Sequence, residues 1–213
     1  MSEQTYLVIP SQFIYLAMGL SLYGMYGYTR DTLRGETAPN RVTWGLWGFL
    51  GLISFGIEIQ QHVGIAAYMT LILGLIPVVV IIASFRNEKS IWQIGKFDIF
   101  CAVACLVGVV FWIFINQQTI ALVVFCGADH IAALPTVRKS WLAPETESPQ
   151  AFLMGFVNCF VTILTLKHIT TAGALFPGVI VYTDLLIWLL LITKMGPRVR
   201  IRLARQDKQE TLS

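Results

Sequence analysis

The sequence predicts an all-α membrane protein, with seven transmembrane helices arranged as two parallel three-helix repeats joined by a linker helix. Three observations lead there. Of the 213 residues 56% are hydrophobic and only 13% charged, with a mean hydropathy of +0.69, whereas a soluble domain carries about 25% charged residues. Apolar runs long enough for a hydrocarbon core of about 30 Å recur along the chain. All but one of the basic residues, connections and tail together, fall on one side.

The first run, 10–29, follows a start that carries Glu3 and no basic residue, so it reads as a retained span and not a cleaved signal. It mixes Tyr15, Tyr23, Tyr26 and Tyr28 with Gly19, Gly24 and Gly27. A basic loop leads to the second span, 42–60, which opens with Trp44 and Trp47 on one helix face. The third span, 64–85, follows a break of only Gln61, His62 and Val63, which predicts a tight hairpin. Span four, 97–116, stands alone and meets span five, 119–137, across Gln117 and Gln118. Spans six and seven, 149–168 and 171–193, form a second hairpin, and 194–213 reads as a basic tail. The chain is thus one transmembrane domain, with 10–85 and 119–193 as the repeats and 97–116 as the linker.

Charge fixes the orientation. Arg30, Arg34 and Arg41 follow span one, and Arg86, Lys89 and Lys96 follow span three. Arg138 and Lys139 follow span five, and the tail holds six more basic residues, so only Lys167 of the 15 falls on the other side. Basic residues in short loops stay cytosolic, so the N-terminus is expected outside and the C-terminus in the cytosol. The compact design fits a bacterial inner membrane. Tail residues Lys194 to Arg205 hold topology on this reading, with anionic lipid as an alternative contact at about 1 kcal/mol per basic residue.

The same sequence of elements occurs twice: span, basic loop, span, tight turn, span. Because span four inserts one crossing, both copies run the same way through the membrane, a design in which the binding site lies between repeats near the midplane. Span five ends Ala133-Leu134-Pro135-Thr136-Val137-Arg138-Lys139-Ser140. With this 3+1+3 plan, the chain resembles the SWEET sugar transporters and the wider PQ-loop group, whose mark is a Pro-Gln followed by a Lys-Ser-containing loop. Thr136 stands where that mark has glutamine, span one ends without a proline, and Pro149-Gln150 opens span six instead of closing span five. The resemblance implies a transporter fold. Sugar transport would imply asparagines on spans three and seven, but span three has Tyr68, Thr70 and Pro77, and span seven has Asp184. A proton-coupled or cationic substrate is therefore as well supported as a sugar.

Prolines inside a helix remove a backbone hydrogen bond, so Pro135, Pro77 and Pro177 mark hinges or fixed kinks in spans five, three and seven. The chemistry is expected at polar residues near mid-span: Asp129 on span five, Asn158 on span six and Asp184 on span seven. A carboxylate at the bilayer centre costs at least about 2.5 kcal/mol, so these acids face a cavity, pair with a donor or stay protonated. A buried network that only fixes helix packing is the alternative. His130 adjoins Asp129 but points about 100° away, toward either the interior or a packed neighbour. Trp44 and Tyr23 are candidate apolar walls, although a tryptophan at the interface is more often an anchor. Glu58 and His62 share a face near the outer end of span two, as an outer gate with Lys167 and His168 or as a solvated pair.

A small-solute transporter working by alternating access is the leading function, with a non-transporting receptor or scaffold of the same fold as the alternative. An enzyme is not expected. The aspartates occur as Cys126-Gly127-Ala128-Asp129 and Val181-Tyr182-Thr183-Asp184, without the Gly-x-Gly-Asp of intramembrane aspartyl proteases. Lys194 lies at the end of span seven, not at its middle as a retinal protein requires. Cys101, Cys105, Cys126 and Cys159 lie in apolar runs without metal-binding spacing, so no metal or cofactor is expected. The expected partners are a small-molecule solute and membrane lipid, with a homo-oligomer left open. No basic stripe suggests nucleic acid.

Overall fold

In a computed structural model the described residues are 9–10, 12–60, 65–88, 92–166 and 171–210. They are 86% helical, with no strand. The helices are α1 (Phe13–Arg34), α2 (Arg41–Gln60), α3 (Ile65–Arg86), α4 (Lys96–Phe114), α5 (Gln118–Leu142), α6 (Pro149–Leu164), α7 (Thr171–Thr193) and α8 (Met195–Glu210). A single 3₁₀ turn, Pro144–Thr146, precedes α6. Among the described residues Lys96–Phe114, Thr119–Leu142 and Ala174–Thr193 are long and apolar enough to cross a membrane.

Burial is inverted relative to a soluble protein. Phe100, Val103, Phe111 and Phe114 of α4 lie exposed, whereas Asp129, Asp184, Lys139 and Glu147 are buried. Large apolar patches on the outside and polar groups within suit a chain whose solvent is lipid.

Local chemistry places the helix ends. Pro149 starts α6, where a missing N–H costs no helical hydrogen bond. Asn40 Oδ1 accepts from the N–H groups of Val42 and Thr43 at the start of α2, while its Nδ2 donates to Asp98 Oδ1 at 2.8 Å. Asp98 Oδ2 accepts from Gly95 N–H, so one pair of side chains fastens the starts of α2 and α4 together.

Two sequence expectations need correction. Spans one and five were placed at 10–29 and 119–137, but α1 runs on to Arg34 and α5 to Leu142. Beyond those bounds Arg30 pairs with Asp31, and Ser140 Oγ donates to Thr136 O. The Lys139 and Ser140 expected in a basic loop therefore lie on α5, fully buried. The basic tail is itself helical as α8, and Arg200 of that helix donates to Leu142 O.

The packing order differs from the chain order. α3 packs against both α1 and α2, and α7 packs against both α5 and α6. α1 also packs on α6, and α2 on α5. Followed from contact to contact, α1, α3, α2, α5, α7 and α6 close into a ring, with α4 outside against α5 and α2. A missing side chain lets α3 approach α2 closely: a Cβ on Gly74 would come within 2.9 Å of the α2 backbone at Gly51 and Leu52.

Candidate functional site

The ring encloses a cavity of about 860 Å³, within the range of small-molecule sites. Helical periodicity explains which side chains reach it. Phe125 and Asp129 are four apart on α5, as are Ile180 and Asp184 on α7, and both pairs line the cavity. Trp47, Gly51 and Ser54 line it from α2 at spacings of four and three, and Gly155 and Cys159 from α6 at four.

Two aromatic groups bracket the acids. Trp112, Phe125 and Phe176 lie in sequence along the wall, with both ring-to-ring distances 5.5 Å. At the other end Trp44 packs against Tyr28 at 4.8 Å and against Trp47 at 5.4 Å. Phe152 meets Tyr28 edge-on at 6.4 Å. With Val80, Ile187, Leu191 and Val137, these residues make an apolar layer drawn from all six ring helices. The cavity stops at that layer. In the opposite direction it extends to Ala121 and Leu122 in the first turn of α5, about 12 Å of helix from Asp129.

Asp129 is 8% exposed and Asp184 is 9% exposed, both onto the cavity. Among the described residues neither carboxyl has a hydrogen-bond or ion-pair partner. No lysine, arginine or histidine lines the cavity with them. Asp184 lies so close over α6 that a Cβ on Gly155 would run into its Oδ2. Only glycine leaves the carboxyl that room.

Beyond the aromatic layer sits a polar network. Lys139 Nζ donates to Glu147 Oε1 at 2.7 Å, to Thr146 O at 3.2 Å and to Ala38 O. Tyr28 O–H donates to Glu147 Oε2 at 2.6 Å, and Ala38 N–H donates to Thr146 O at 2.9 Å. Both charged side chains are 0% exposed. The network therefore ties the α1–α2 connection to the α5–α6 connection. A buried ion pair pays for its desolvation only when its remaining hydrogen bonds are satisfied, and three acceptors serve this ammonium.

The sequence-selected residues divide between this site and other places. Asp129, Asn158, Asp184, Trp44 and Pro77 line the cavity. Trp44, 1% exposed, is not an interface anchor, because Tyr28 and Trp47 cover it. Tyr23 is 60% exposed on the outer side of α1 and does not line the cavity. His130 points into a separate groove between α5 and α7, its ring tilted against that of Tyr182 at 5.7 Å. It reaches the cavity only through Thr183, whose Oγ1 is 3.0 Å from Nδ1. Pro135 and Pro177 lie buried inside α5 and α7, and Pro135 stands one turn before Lys139. The side chain of Glu58, and all of His62, Lys167 and His168, lie outside the described residues.

Sequence reasoning did not single out Glu147, Phe152 or the Trp112–Phe125–Phe176 wall. The aromatic residues carry no mark in apolar helices, and Glu147, in the connection before α6, gains its partners only in the fold. No protein-family model, curated protein or solved structure matches the chain.

Proposed function

We propose that this chain is a membrane transporter that moves a small polar solute by alternating access through the ring cavity. The observation that carries the reading is a cavity with two unpartnered acids, continued toward one end and closed at the other. A structural polar cluster needs no such volume, and its carboxyls would be paired.

The packing pattern supports two equivalent three-helix units with α4 as linker. Exchanging α1, α2 and α3 for α5, α6 and α7 carries each ring contact onto another ring contact. On this reading the Lys139–Glu147 network joins equivalent loops of the two units at the cytosolic end. Opening that end requires the two loops to part. Pro135, one turn away on α5, is then the natural place for the helix to bend.

Sided labelling tests the reading. With the native cysteines replaced, a single cysteine at Ser54 on the cavity wall reports access by a membrane-impermeant thiol reagent. An alternating-access protein is labelled from each face of the membrane in turn. Labelling from one face only, under every condition, supports a receptor or scaffold instead.

A further inference from the structure

We infer that the solute taken by this cavity is an organic cation with an apolar body, such as an amine or a quaternary ammonium. The inference rests on reading the cavity as the transport site and adds the class of ligand.

Two carboxyls, on different helices, face one cavity, and no basic side chain among the described residues lines it with them. Each is more than nine-tenths buried and has no hydrogen-bond partner among the described residues. A positive charge between α5 and α7 would supply the missing partner of both. The rings suit the rest of such a ligand. Trp112, Phe125 and Phe176 lie on one side of the acids, with Trp44, Trp47 and Phe152 on the other. Aromatic faces attract cations, more strongly where water is excluded, and also cover apolar carbon.

Other ligand classes fit less well. An anion would meet two acids and no basic side chain. A bare metal ion needs a closer donor set, and no group of three histidine, cysteine, aspartate or glutamate side chains that could hold one occurs among the described residues. A neutral polyol needs many hydrogen-bonding groups, yet those on this wall are partly taken. Ser21 Oγ donates to Met154 O at 3.4 Å, and Thr183 Oγ1 is engaged by His130. Besides the acids, Ser54, Asn158 and the unpartnered indole N–H of Trp44 remain, too few for a polyol with several hydroxyls.

The test uses the purified full chain in nanodiscs and equilibrium binding of phenethylamine against 2-phenylethanol, its neutral counterpart of similar shape. The amine is expected to bind at least about tenfold tighter than the alcohol. Asp129→Asn and Asp184→Asn are each expected to remove most of that preference. Equal binding of amine and alcohol, or no binding of the amine, overturns the assignment. So does an amine preference that survives in both folded variants. If a variant does not fold, the wild-type comparison alone decides.

Proteoliposome uptake of tetraethylammonium against glucose separates this inference from the function beneath it. Cation binding without passage overturns transport and leaves the ligand class standing. Glucose uptake without tetraethylammonium uptake overturns the ligand class and leaves transport standing.

Discussion

Replacing Tyr28 by phenylalanine removes one oxygen from the closed end of the cavity and little else. The ring keeps its contacts with Trp44 and Phe152, so the apolar layer persists. What is lost is the 2.6 Å hydrogen bond to Glu147 Oε2. A hydrogen bond to a charged group is worth about 1.5–3 kcal/mol. Glu147 keeps its ion pair with Lys139, so no uncompensated charge is left buried. If the bond exists only while the α1–α2 and α5–α6 loops are held together, its whole value moves the opening equilibrium. That shift is about ten- to 150-fold toward the state open at the loop end. The assay is the labelling rate of the Ser54 cysteine from the cytosolic face, with thermal unfolding as the control for fold. An unchanged rate in a folded Tyr28→Phe protein would refute the assignment of this network as the closure.

Other perturbations test the packing and the network separately. Lys139→Met leaves Glu147 buried without its cation and is expected to cost about 3–5 kcal/mol of stability, whereas Lys139→Met with Glu147→Leu recovers much of it. A double-mutant cycle on thermal unfolding checks this, and simple additivity would count against coupling. Gly155→Ala is expected to displace Asp184 and destabilise by about 1–3 kcal/mol. Gly19→Ala, with nothing within 4 Å of its added methyl, is expected to be neutral or mildly stabilising in the same melt. Asn40→Ala removes the bonds to Asp98, Val42 and Thr43 and is expected to cost about 1–3 kcal/mol of stability, read as a lower melting point.

The helices were legible because span length and loop charge are local properties of the chain. Asp129, Asn158 and Asp184 were legible for the same reason: a polar residue ten places into an apolar run is conspicuous without knowledge of its neighbours. Helix phase was not. Tyr23 lies two residues from both Ser21 and Met25, which line the cavity, so it faces about 200° away. No pattern in α1 says which of these faces is inward. His130 was ambiguous in the same way and turns toward Thr183. Lys139 shows a different limit. A lysine near a helix end counts as a surface charge in any topology rule. Its burial depends on Glu147 in the same connection, on Ala38, and on Tyr28, which lies 119 positions from Glu147.

The most direct test of the account is transport itself. Purified protein is reconstituted into liposomes holding a pH-sensitive dye, and amines, amino acids and sugars are added outside, with tracer uptake of the same solutes measured in parallel. The account predicts uptake of at least one solute by the wild type and its loss in Asp129→Asn or Asp184→Asn, with proton movement where uptake is coupled. No solute moving by either readout, with wild-type and variant proteins correctly folded, would contradict it and favour a receptor or scaffold built on the same ring of helices.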